Sequence, residues 1–313
     1  MKRKVVKQGQ STLMVSLPSK WVKKQGVKQG DEIELNEDGP QITLSRKEIK
    51  INEKKIELDI SKFNKFMLSR YLEVLYITNY QKITLIYTKD KIYNQKIHKE
   101  EGIREVINKL SNRFIGMEIV SQTNNMTELR CFIIGDSKDT NQIEKRVFFL
   151  IKEAFDECLA SLESKEKYKE FYKTVYDTHD NITKFLIYYL RILDQSESSE
   201  LEKKMYFSLY WLVDSYIDKF RHVNEMILTL GYSKVVKEIL KEFFELLEDF
   251  FKSLHKGEFT LEIINKRYRL VEKYQSKKLT LNEFRVVSEL ESFLLGMNDF
   301  ARAIIAQKLT KIS

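Results

Sequence analysis

From Asn141 to Ser313 the chain contains no proline and only three glycines, Gly231, Gly257 and Gly296. A stretch this long without helix breakers is restricted to helix wherever its apolar residues recur at three- and four-residue steps. They do so in Met205, Leu209, Leu212, Tyr216, Phe220, Val223 and Ile227, and again in Leu290, Leu294, Met297, Ala301 and Ile304. The run divides near Ser164, Ser196, Gly231, Gly257 and Leu279 into six helices with short connections, the pattern of antiparallel bundles. Two sets of three, about 139–230 and 231–313, read as an internal duplication whose two sets share little sequence similarity.

The first 40 residues are the opposite in character, with both prolines (Pro18, Pro40) and four of the ten glycines. That composition predicts a compact segment rich in turns. Between 47 and 138 the signals alternate. β-rich runs at Ile49 to Ile60, Ile83 to Tyr87, Met117 to Ser121 and Glu128 to Ile134 are separated by helical patterns at Phe63 to Tyr80 and Gly102 to Arg113. The chain is thus read as three domains, 1–46, 47–138 and 139–313, of multidomain α+β class with an all-α C-terminal part.

Of 313 residues, 42% are hydrophobic and 32% charged, which excludes disorder as the general state. The formal net charge of +8 resides entirely in residues 1–30, which hold eight bases and no acid; the remainder is neutral in sum. Two cysteines, Cys131 and Cys158, build neither a disulfide framework nor a cysteine zinc site, and a reducing cytoplasm is the expected location. The polar Lys7 to Ser11 follows the basic start where a secretory signal would place an apolar run. No uncharged apolar stretch approaches the roughly 18 residues of a membrane span, so direct membrane insertion is not expected.

Within the N-terminal segment, Leu13, Val15 and Leu17 alternate with Thr12, Met14 and Ser16 at the two-residue period of a half-buried strand, and Pro18 stops it. A short helix beginning near Ser19 turns Trp21 and Val22 inward and ends at Gly26 in a left-handed cap. Strands follow at Glu32 to Leu35 and Gln41 to Leu44, with a turn at Asp38-Gly39-Pro40. Lys7-Gln8-Gly9-Gln10, Leu17-Pro18-Ser19-Lys20 and Gly26-Val27-Lys28-Gln29-Gly30-Asp31-Glu32-Ile33 occur in the order, and with the spacing, of the AbrB/MazE/SpoVT swapped-hairpin domain, which residues 3–46 closely resemble. The resemblance implies a small β-barrel completed by two interleaved chains, hence a homodimer, and a basic face that binds double-stranded DNA. Its contacts here would be Arg3, Lys4, Lys7, Gln8, Ser11 and Lys20. Lysine and arginine neutralise phosphates, while Gln8 suits a base edge. The alternative is a hairpin domain that only dimerises, its lysines a solvated surface.

In the third predicted helix, Asp214 and Asp218 lie four apart and share a face opposite the apolar stripe. Phe207 and Trp211 precede them on that face, and His222 and Glu225 continue it. A solvated face and a second contact surface both account for the pattern. Trp211 to Ile227 resembles the carboxylate-xxx-Asp helix of the PhoU family of phosphate-uptake regulators, and Glu291 to Gln307 resembles its second copy. This resemblance, over about 140–310, implies a pair of three-helix bundles and a divalent metal ion or iron held by acids. Asp214 and Asp218 match the first copy and Asp299 the end of the second, where Leu295 stands in place of an acid. Asp177 and Asp180, with His179 and His222, are further candidates. Head and bundle together resemble archaeal regulators of phosphate uptake. They imply a transcriptional regulator sensing a phosphate-linked signal, or an adaptor that acts on a phosphate transporter or signalling protein by contact. No phosphate-binding glycine loop, HExxH motif or nucleophile–base pair points to an enzyme.

Overall fold

The computed structural model describes residues 3–9, 12–38, 41–46, 53–133, 140–196, 200–231, 233–256, 258 and 260–310. The chain divides into two compact units, Met1–Glu53 and Lys54–Ser313. No helix among the described residues is long and apolar enough to cross a membrane.

The first unit is two separate hairpins flanking a short helix. β1 (Val5–Gln8) pairs antiparallel with β2 (Thr12–Val15), and β3 (Ile33–Asp38) with β4 (Gln41–Arg46). Between the hairpins, α1 (Ser19–Gln25) starts after Pro18, whose φ of -63° suits a helix entry, and ends at Gly26 with φ 62°. The Val27 amide bonds back to the Val22 carbonyl at 3.0 Å, closing the cap. The predicted helix and its left-handed stop are therefore in place. The strand β1 was not anticipated from the sequence, and the tip of the Asp38-Gly39-Pro40 turn lies outside the described residues. Leu13 and Val15, expected to be half-buried, are 68% and 53% exposed. Two-stranded sheets cannot bury a face alone, and no described residue covers this one.

The second unit begins as a four-stranded sheet of order β5-β6-β10-β9, from β5 (Lys55–Asp59), β6 (Lys82–Ile86), β9 (Met117–Gln122) and β10 (Met126–Cys131). β5 and β6 run parallel because α2 (Lys65–Ile77) connects them, whereas the other pairs are antiparallel. Asn64 caps α2 by accepting from the Met67 amide at 2.8 Å. α3 (Ile103–Ser111) adds Val106, Ile107 and Leu110 to the core. A small hairpin, β7 (Lys91–Asn94) with β8 (Lys99–Gly102), was missed in the sequence because Lys-Glu-Glu-Gly carries no alternating apolar pattern.

Six helices follow: α4 (Thr140–Ser161), α5 (Lys165–Gln195), α6 (Glu200–Leu230), α7 (Lys234–Lys256), α8 (Leu261–Gln275) and α9 (Leu281–Thr310). Their breaks fall at the expected positions, and Ser164 caps α5 through the Lys167 amide at 3.2 Å. Leu209, Tyr216, Phe220, Val223 and Ile227 of the predicted stripe are buried, as are Leu290 and Leu294. Phe155 of α4, Phe220 of α6 and Phe244 of α7 meet at ring centroid distances of 5.1, 4.2 and 6.0 Å, so one aromatic cluster joins the first three helices to the last three. A single core runs from Ile60 to Leu294, through the sheet layer and the helices alike.

Candidate functional site

Arg3, Lys4, Lys7, Gln8 and Lys20 are exposed, and Ser11 lies outside the described residues. Lys7 and Gln8 end β1 beside Gly9, whose φ of 74° lets the hairpin turn. Adjacent strand residues face opposite ways, so Lys7 shares a face with Val5, Leu13 and Val15 while Gln8 shares the other with Val6 and Met14. Lys20 opens α1, and Lys23, Lys24 and Lys28 are exposed on and after it. Beside this charge lies unpartnered apolar surface. Val5, Val6, Leu35 and Ile42 are each about 60% exposed, and Met14 is 45% exposed.

In the second unit, the candidate acids of α5 and α6 form a charge cluster against α2 and α3. His179 Nδ1 and Nε2 lie 3.0 Å from Asp180 Oδ1 and 3.0 Å from Asp218 Oδ1. Burial works against the imidazolium, but the bonds to Asp180 and Asp218 outweigh it and raise the His179 pKa to about 9. Both carboxylates are in turn held below their ordinary range, foremost by His179. Arg221 approaches Asp218 at 3.5 Å, and Arg113 approaches Asp180 at 3.9 Å.

Asp214 does not face open solvent. It accepts from Thr183 Oγ1 at 3.0 Å, and burial pushes its carboxyl up despite that bond, with Asp218 adding to the rise. Nearby on α2, Glu73 is 4% exposed and pairs with Arg70 at 2.8 Å. Burial raises its carboxyl too, against the pull of Arg70. Asp177 is exposed one turn before Asp180, His222 is exposed on α6, and the side chain of Asp299 lies outside those described. Phe207 and Trp211 form an edge-on pair 5.8 Å apart on α6.

Residues 6–53 match the family model described as antidote-toxin recognition MazE, bacterial antitoxin. The N-terminal unit therefore carries a MazE/AbrB-type domain. No curated protein and no solved structure matches the chain.

The MazE-type domain brings a run of exposed cations and an uncovered aliphatic surface into one small unit, the two properties needed to pair with a second copy and to meet a polyanion. In the second unit, no group of three or more His, Cys, Asp or Glu among the described residues is placed to hold one metal ion. The cluster contains its own cations instead. Both ring nitrogens of His179 are engaged by carboxylates, so the described donors as arranged do not fit the metal that the PhoU resemblance implies. Four-residue spacing identified Asp214 and Asp218; Arg70–Glu73 and Asp218–Arg221 are local i,i+3 pairs, but that they gather in one cluster with Thr183 and Arg113 gave no sequence signal, because only tertiary packing brings these segments together.

Proposed function

We propose that this chain is a homodimeric, DNA-binding transcriptional regulator of phosphate uptake. In this reading the MazE-type domain binds double-stranded DNA, and the helical part receives a phosphate-linked signal without catalysing a reaction. The observation that carries the DNA-binding half is the confinement of the whole formal excess of positive charge to residues 1–30, within a domain type that typically binds DNA and dimerises. Dimerisation is supported by two separate hairpins whose aliphatic side chains have no cover among the described residues. The phosphate-linked half rests on the resemblance of the α6 and α9 segments to PhoU, and its partner would be a phosphate transporter or a signalling protein.

Fluorescence anisotropy on DNA from upstream of the coding region, with the full chain and with a 54–313 truncation, tests the reading. The expected result is affinity that falls steeply with salt and disappears on truncation. Equal and negligible binding by both would reject it in favour of a contact-acting adaptor whose N-terminal domain only dimerises.

A further inference from the structure

The helices α4 and α7 run antiparallel, Phe148 lying 4.9 Å from Phe251 and Phe155 lying 4.2 Å from Phe244, ring to ring. Between them is an open groove of ≈ 510 Å³ floored by these four rings. That volume falls inside the range of about 300–1,000 Å³ usual for small-molecule sites, which are likewise mainly apolar with a few placed charges. The lining runs from Lys145 to Leu159 along α4, a length of about 21 Å at the helical rise.

Charge is distributed unevenly along this groove. Midway, Lys152 is held by Asp156 at 3.1 Å and lies 3.9 Å from Glu248. Toward the Leu159 end, Lys241 lies 4.0 Å from Glu245. At the opposite end, the start of α4 meets the end of α7 and brings Lys145, Lys252 and Lys256 to the rim. Lys252 pairs with Glu248 at 3.0 Å, but among the described residues Lys145 and Lys256 have no acid within 4.0 Å. An apolar trough about 21 Å long thus ends at two cations that have no acidic partner among the described residues.

We infer that the α4–α7 groove binds one long-chain anionic amphiphile, its hydrocarbon tail over the phenylalanine floor and its acidic head between Lys145 and Lys256. Charge complementarity selects this occupant over a neutral apolar molecule, because a ligand without a head leaves the lysine end unanswered. The proposed ligand is a dispersed molecule, not a bilayer. Its binding requires nothing of DNA recognition, so the two readings stand or fall separately.

The test uses the full chain and the fluorescent polyunsaturated acid cis-parinaric acid below its micelle concentration. Saturable binding of one molecule per chain is expected, displaced by palmitate and only weakly by 1-hexadecanol. Lys145→Glu with Lys256→Glu changes two exposed side chains, and removing two partly screened ionic contacts lowers affinity about tenfold. Leu159→Trp narrows the other end and also weakens binding, while circular dichroism confirms folding. Absence of saturable binding, or equal displacement by palmitate and hexadecanol with no lysine effect, would overturn the proposal. So would affinity seen only with phosphatidylglycerol vesicles, or a self-association that the lysine changes abolish and the probe does not affect.

Discussion

The Arg191 guanidinium lies over the Tyr76 ring, 4.6 Å from its centroid, and donates to the Tyr76 carbonyl. Arg191 is 1% exposed and Tyr76 fully buried. The Tyr76 hydroxyl in turn donates to the Ile115 carbonyl at 2.7 Å. Three residues further on, Asn79 takes a left-handed φ of 63° and its side-chain amide donates to the Arg191 carbonyl at 3.2 Å and to Asp194 at 2.8 Å. The end of α2 is therefore tied to the end of α5 by buried polar bonds. The sheet layer and the helical bundle share these bonds as well as a core.

Arg191→Ala is expected to destabilise the chain by about 2 kcal/mol, chiefly because it empties the volume of the arginine stem; the Tyr76 carbonyl keeps the Asn79 amide as a donor at 3.1 Å. Arg191→Met keeps most of that stem and is expected to cost less. Urea unfolding with an unchanged m-value measures both. A loss within error of zero for the alanine variant would show that the Tyr76 contact contributes nothing to holding the two layers together.

Gly116 has φ of 77°, and a Cβ built there would lie well inside van der Waals contact with Ile133 Cγ1. Gly116→Ala therefore combines a left-handed penalty of roughly 1–2 kcal/mol with overpacking of roughly 1–3 kcal/mol. Adding Ile133→Ala removes the atoms of the two shortest contacts and relieves part of the second cost. A double-mutant cycle is expected to show positive coupling between the sites. Strict additivity would mean that the clash is absorbed by backbone movement.

Much of the helical part was legible because its signals are local. Ser164, Ser196 and Gly231 interrupt an otherwise unbroken pattern, and the breaks between α4, α5, α6 and α7 fall at those residues. Gly26 likewise announced the end of α1. The strands β1, β7 and β8 were not legible, being only four residues each, too short for an alternating pattern to stand out, so that pairing alone defines them. The alternation of Leu13 and Val15 was read as half-burial, yet it identifies a face that no described residue covers. In the charge cluster, spacing along one helix was visible for Asp214 and Asp218. Their contacts with Thr183 and His179 arise between helices distant in sequence, where periodicity carries no information, and so does the placing of the local Arg70–Glu73 pair of α2 beside them.

His179 should make stability depend on pH. Its folded-state pKa of about 9 lies above the ordinary 6.5, so the native state binds the proton more tightly than the unfolded chain. The resulting stabilisation is fully present below the ordinary value and is lost as pH rises through the folded value. Because Asp180 and Asp218 are more than half exposed, solvent screening reduces this contribution to about 1–2 kcal/mol. Urea unfolding on either side of that window is expected to show the loss, and His179→Gln to flatten it. An unchanged pH dependence in the variant would assign the effect to other groups.

Salt dependence separates the roles of the N-terminal residues. If Arg3, Lys4, Lys7 and Lys20 each meet a phosphate in both chains of a dimer, the slope of log affinity against log salt is about -7, from roughly 0.9 per contact. Lys7→Ala removes two of those contacts per dimer and should shallow the slope by about 2 while weakening all sequences alike. Gln8→Ala should leave the slope unchanged and instead narrow the preference for the specific site over random DNA, by about 1–3 kcal/mol if the amide reads a base edge. Anisotropy titrations on both DNAs at several salt concentrations resolve the two effects. An unaltered slope for Lys7→Ala would remove that lysine from the interface, and an unaltered preference for Gln8→Ala would leave discrimination to the shape of the DNA.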